Sequence, residues 1–184
     1  MLYNCDCKIK TLRKEPIFMN KLDIVYNCLI SEGVQTVVTL PDSHLCPLCR
    51  KIKNGKKIDY IQTVDESIAV GISTGLRLTG NKSLVIMENS GLRKACETIS
   101  RFNLSHRLFT AYLISHRGFF GERNWWGVAH HETMEPLLNL LKIRWAYVQS
   151  VAEFSKQLKN LYLNLETNQC STALIIEQLF IEEL

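Results

Sequence analysis

Hydrophobic and polar positions alternate between two periods along this chain, and the alternation recurs from near residue 17 to the end. From Ile17 to Glu32 the apolar residues Phe18, Leu22, Val25 and Leu29 keep near-helical spacing, and Gly33 is a stop signal. Val34–Leu40 is then a β-branched run ended by Pro41, the pattern of a buried parallel strand. Pro41 to His44 reads as a turn, with Asp42 or Ser43 as an N-cap, and a short helix to about Lys53 follows. The stretch from Ile58 to Gly80 organises the rest. A β-rich run to Val64 meets the acidic corner Asp65-Glu66, and a helix follows with Ile68, Ile72 and Leu76 at four-residue steps. Small residues at Ala69, Gly71, Ser73 and Gly75 suit close packing of another backbone along one side of that helix.

Later elements follow the same rule. Leu84–Met87 is a buried strand that breaks into Glu88-Asn89-Ser90-Gly91, with a helix expected to Phe102. Leu108–Ile114 is a fourth strand, ending in Ser115-His116-Arg117-Gly118. The segment from Phe119 to His131 has no period and reads as a long irregular loop. A helix is expected over Thr133–Leu141 with Pro136 in its first turn, then a strand over Arg144–Gln149. The stripe Phe154, Leu158, Leu161 and Leu165 marks a further helix, Thr172–Glu177 a sixth strand, and Leu179–Leu184 an end that docks or frays. Six strands alternating with helices predict an α/β fold: a single three-layer α/β/α domain with a six-stranded, mostly parallel sheet. The polar clusters follow strands, at the sheet edge where such folds bind ligands.

Composition narrows the function. A chain of 184 residues supports one domain, placed here at residues 17–184, with residues 1–16 read as a polar, basic N-terminal extension. A net charge of +4 is too mild to argue for nucleic acid, yet it suits an anionic ligand. No apolar run is long enough to span a bilayer and no secretory signal is visible, so a cytoplasmic location with reduced cysteines is expected. Cys46 and Cys49 form a single CxxC, and Cys5 and Cys7 lie on the extension. This is weak evidence for zinc or redox chemistry, and no metal site is expected.

Three motifs in order carry a resemblance. They are E-x-x-A-x-x-x-S-x-G from Glu66 to Gly75, M-E-N-S-G-L from Met87 to Leu92, and I-S-H-R-G from Ile114 to Gly118 with Gly121-Glu122 close behind. Together, over roughly Leu22 to Glu177, they resemble the pyrimidine-binding domain of thiamine diphosphate enzymes, in the branch that contains sulfopyruvate and phosphonopyruvate decarboxylases.

The resemblance implies a set of roles. Glu66 is the expected catalytic carboxyl, hydrogen-bonded to the coenzyme's pyrimidine nitrogen and raised in pKa by burial. Pro41, Asn89, Ser90 and Gly91 join Glu66 as cofactor-binding residues, and His44, His116 and Arg117 bind an anionic substrate. The bland alternative for Arg117 is an ion pair with Glu122. Relatives in this branch commonly carry Gln where Glu88 stands, and Gly-Asn where Arg93-Lys94 stand. That change puts the exact substrate in question.

The sequence contains no G-x-G-x-x-G and no G-D-G…N segment of the kind that holds magnesium and diphosphate. The chain therefore resembles half of a catalytic centre. The resemblance implies the alpha subunit of a heteromeric thiamine diphosphate-dependent 2-oxo acid decarboxylase. Its partner would be a diphosphate-binding (beta) subunit that carries most of the magnesium site. Alternatives are a carboligating subunit, a non-catalytic interaction subunit that keeps the fold, and a flavodoxin-like small-molecule binder.

Overall fold

The computed structural model describes residues 20–177 and Phe180. The expected extension at residues 1–16 and most of the Leu179–Leu184 end lie outside the described residues; Phe180 itself is buried against Phe154. Six strands form one sheet: β1 (Thr36–Thr39), β2 (Asp59–Gln62), β3 (Ser83–Glu88), β4 (Ala111–Ser115), β5 (Arg144–Val148) and β6 (Thr172–Ile176). Their order is β2-β1-β3-β4-β6-β5 and every pairing is parallel. The helices are α1 (Lys21–Ser31), α2 (Cys46–Gly55), α3 (Glu66–Leu78), α4 (Asn89–Lys94), α5 (Trp125–Leu140) and α6 (Val151–Asn168).

Both faces of the sheet are covered, which is why its strands read as continuous apolar runs rather than alternating ones. Leu84 and Ile86 join Leu113 and Ile176 under α1, α2 and α6, where Val25, Leu29, Leu48, Phe154 and Leu158 are buried. Val85 and Met87 point the other way, with Tyr112 and Ile175, toward Ala69, Leu92, Ile99, Met134 and Leu138. Truncating one fully buried anchor such as Leu158 to alanine costs about 2–5 kcal/mol. No helix among the described residues is long and apolar enough to cross a membrane.

Several local expectations are corrected. The residues after β3 form α4, a turn, and then a π-helical segment over Thr98–Leu104 rather than one regular helix. The wider turn accompanies a buried Asn103, whose side chain accepts from Thr74 Oγ1 at 3.3 Å and donates to Thr110 Oγ1 at 2.9 Å. Helix α5 begins at Trp125, inside the segment expected to be irregular, and holds Pro136 in its interior. Its buried positions, Gly127, Met134 and Leu138, are too sparse to show a helical stripe in the sequence.

The small residues of α3 also divide into two faces, because positions two apart on a helix lie about 200° apart. Ala69 and Ser73 are buried, with Ser73 Oγ 2.8 Å from Ser83 Oγ. Gly71 and Gly75 face outward, with nothing within 4 Å of a Cβ placed on either.

The sheet order reverses beside β1, since the chain leaves β1 for β2 on one side and returns to β3 on the other. Such a switch point opens a crevice at the carboxyl ends of the two strands. Here it lies between the loop after β1, starting near Pro41, and the β3–α4 turn.

Candidate functional site

At the first corner of the site, the start of α3 is locked to α4. Asp65 caps α3, its Oδ1 accepting from the Ser67 amide at 2.7 Å. Ser67 Oγ donates to the Lys94 carbonyl at 3.1 Å, and Lys94 Nζ lies 3.4 Å from Asp65 Oδ2. Between these contacts the Glu66 side chain lies against Gly91. A Cβ on Gly91 would sit 2.6 Å from Glu66 Cγ and 2.8 Å from its Oε1. Glycine there leaves room for the Glu66 side chain as it stands, and its backbone conformation does not call for glycine. Glu66 is half-buried in this chain, so the full burial expected for it is not reached by these residues alone. On the outward side of α3 and the turn before it, Val64 is 87% exposed, Ile68 47% and Leu78 66%, flanking Gly71 and Gly75.

The second corner brings together residues 73 positions apart. After β4, Arg117 is held at its main chain by Asn89, whose Nδ2 donates to the Arg117 carbonyl at 2.9 Å and whose Oδ1 accepts from its amide at 3.2 Å. The buried Asn89 amide is thereby committed to the backbone on both sides. The Arg117 guanidinium donates from Nε to Glu122 at 3.1 Å and from Nη1 to His44 Nε2 at 3.0 Å, with Ser43 Oγ at 3.4 Å.

Glu122 also accepts from the amides of Gly118 and Asn124. Burial pushes its carboxyl up, but those amides and Arg117 outweigh it and hold the group below the ordinary carboxylate range. The loop lies directly on α5. Gly118 has φ +87°, and a Cβ there would come within 1.9 Å of the Gly127 carbonyl oxygen.

His44 is placed by a turn in which Asp42 Oδ1 accepts from the amides of His44 and Leu45. The expected N-cap Asp42 therefore ties the turn, while Leu45 stands at the cap position of α2. Because Arg117 can only donate, His44 Nε2 accepts and its proton lies on Nδ1, which is buried without a partner. Burial, followed by Arg117, lowers the His44 pKa against the opposing pull of Asp42, Glu88 and Glu122.

Sequence reasoning missed the contribution of α5. His131 Nδ1 lies 2.8 Å from His116 Nε2, with the two rings stacked at 5.0 Å. His130, its neighbour, diverges from it. Burial and the charges of Arg93 and Arg117 lower its pKa while Glu88 raises it, so it belongs to the β3–α4 side, and its Nδ1 is buried and unpartnered. Had 125–140 been read as a helix, His131 and Glu135 would have stood out as an i, i+4 pair.

Glu88 accepts from Ser90 Oγ at 2.7 Å, so Ser90 sits inside α4 rather than capping it. Cys46 and Cys49 are free thiols, and burial pushes Cys49 up to about 12, where it stays protonated.

Residues 19–99 match the thiamine pyrophosphate enzyme N-terminal TPP binding domain. The chain is 26% identical over 151 residues to sulfopyruvate decarboxylase subunit alpha of Methanococcus maripaludis, covering 80% of this chain and 90% of that one. Over these residues the chain is similar to the thiamine diphosphate enzymes.

Phosphonopyruvate decarboxylase of Streptomyces viridochromogenes is 25% identical over 124 residues, covering 66% of this chain and 31% of its own length. A solved structure from Mycobacterium smegmatis, described as a thiamin diphosphate-dependent enzyme, superposes with TM-score 0.70 at 14% identity. It matches 90% of this chain and 31% of that one. The chain thus spans about a third of these last two proteins and nearly all of the alpha subunit.

Thiamine diphosphate is the cofactor of this family, and its pyrimidine end fits the residues present. The cradle that a Cβ on Gly91 would fill holds a carboxyl at the edge of the sheet crevice. The Methanococcus maripaludis relative is named as the alpha subunit of its decarboxylase.

Proposed function

We propose that this chain is the pyrimidine-binding alpha subunit of a heteromeric decarboxylase. Its substrate is a small anionic 2-oxo acid of the sulfopyruvate or phosphonopyruvate type. The observation that carries the reading is the Glu66 carboxyl seated against Gly91, at the crevice where Arg117 and His44 also converge. When bound, the coenzyme supplies an electron sink for loss of carbon dioxide.

The chain's own residues do the rest. Glu66 would donate a proton to the pyrimidine nitrogen and take it back, and Pro41, Ser90 and Gly91 would shape the wall beside it. Asn89 acts indirectly, by fixing the main chain of Arg117. Arg117 and His44 receive the anionic end of the substrate: one is a permanent cation, the other presents an N–H at Nδ1. His116 lines the same segment.

The diphosphate and its magnesium are held by a beta subunit. Two features support this: the 184 residues lack a G-D-G…N segment, and no cluster of three or more His, Cys, Asp or Glu with metal-binding geometry occurs among the described residues. That subunit also covers Val64, Ile68, Gly71, Gly75 and Leu78 and completes the burial of Glu66.

Calorimetry tests the division of labour. The purified chain is expected to show no micromolar affinity for thiamine diphosphate and no decarboxylation, and both are expected to appear on adding the diphosphate-binding chain. Tight coenzyme binding by the single chain would overturn it.

A further inference from the structure

His116 is 4% exposed, and its ring is enclosed on three sides. Tyr147 of β5 lies at 5.8 Å and Phe119 packs edge-on at 6.5 Å, while His131 of α5 stacks over it at 5.0 Å. Only one hydrogen fits between His116 Nε2 and His131 Nδ1 at 2.8 Å, so the two rings hold linked tautomers. The other nitrogen, His116 Nδ1, is buried without a partner, and His131 is exposed at its far side.

A proton added at His116 Nδ1 would place a charge in an enclosed, largely apolar site. Burial first, and then His131, lowers the His116 pKa to about 4, against a weaker upward pull from Glu135. The neighbouring elements supply no stronger counter-charge. Tyr147 is held protonated by burial and by its bond to Glu135, Glu177 acts on Tyr147, and Glu122 is bound to Arg117.

We propose that His131 is a positioning residue that fixes His116 as a neutral imidazole with its proton on Nε2. An anionic substrate then meets a hydrogen-bond acceptor at His116 Nδ1 and takes its cationic contact on this segment from Arg117. This assignment leaves both rings in the tautomer that a free neutral histidine favours. It rests on the reading that residues 115–118 face the substrate.

Long-range proton–nitrogen NMR of the histidine-labelled chain tests the pairing without any turnover. His116 is expected to show a bare Nδ1 and a protonated Nε2, unchanged between about pH 5.5 and pH 7.5. In His131→Ala it is expected to show mixed tautomers and to titrate nearer the ordinary 6.5. His131→Gln, which keeps a hydrogen-bonding end, is expected to restore the single tautomer. A His116 spectrum unaffected by His131→Ala, in a chain that melts like the wild type, overturns the pairing role.

Kinetics of the enzyme reconstituted with its partner chain tests the substrate contact. KM for the anionic 2-oxo acid is expected to fall several-fold in His131→Ala as the pH drops through about 6.5 and His116 gains charge, while wild type stays flat. A flat KM in the variant, with its tautomers visibly mixed, overturns the contact at His116 and leaves the pairing standing.

Discussion

Substituting alanine for Gly91 separates the position of the Glu66 carboxyl from its chemistry. The added Cβ would meet Glu66 Cγ at 2.6 Å, whereas ordinary carbon contacts are about 3.6 Å, so the carboxylate must move by about 1 Å. Alanine is no worse than glycine for α4 itself, because Gly91 does not need a positive φ, and helix propensity favours alanine by up to about 1 kcal/mol. Displacing a catalytic group by about 1 Å costs on the order of a hundredfold in rate, or about 2.7 kcal/mol of barrier.

Gly91→Ala is therefore expected to melt within a few degrees of wild type and to lose about two orders of magnitude in turnover. Glu66→Gln, which keeps the volume but cannot share the proton, is expected to lose at least about a hundredfold. The double variant should fall little further than Glu66→Gln alone, because both changes act through one carboxylate. Turnover is measured by aldehyde release from the reconstituted enzyme, and stability by thermal denaturation of the same preparation. A folded Gly91→Ala enzyme with wild-type turnover would refute the requirement for Glu66 at this place.

Two further outcomes follow from the surface and the loop. Gly71→Lys is expected to leave the single chain as stable as wild type, since nothing lies within 4 Å of the new Cβ, yet to abolish assembly with the partner chain; light scattering reads this, and undiminished assembly removes the α3 face from the interface. Glu122, with its pKa held below the ordinary 4.5, anchors the loop fully above that value and loses hold as the pH falls through its lowered pKa. Amide exchange at Gly118 and Asn124 should therefore quicken below about pH 4.5 in wild type and show no such step in Glu122→Gln.

The period of the apolar positions determined most of the fold. Strands buried on both faces and helices striped at three and four residues leave few arrangements other than a parallel sheet covered on each side. Glu66, Gly91 and Arg117 could be singled out because each follows a strand in a motif, and such motifs need specific residue types at fixed spacing, whereas His44 entered only through the resemblance.

Pairings between distant positions were decided only by the tertiary structure. Arg117 meets His44 across 73 residues because β1, β3 and β4 are neighbours in the sheet, an ordering that local periodicity does not encode. The same holds for α5: a segment of Trp, Gly and His with few buried positions reads as loop, and becomes a helix once Gly118 and Gly127 bring it against the β4 corner. His131 acquires its place against His116 from that contact, since a helix held by packing rather than by its own stripe is visible only in three dimensions.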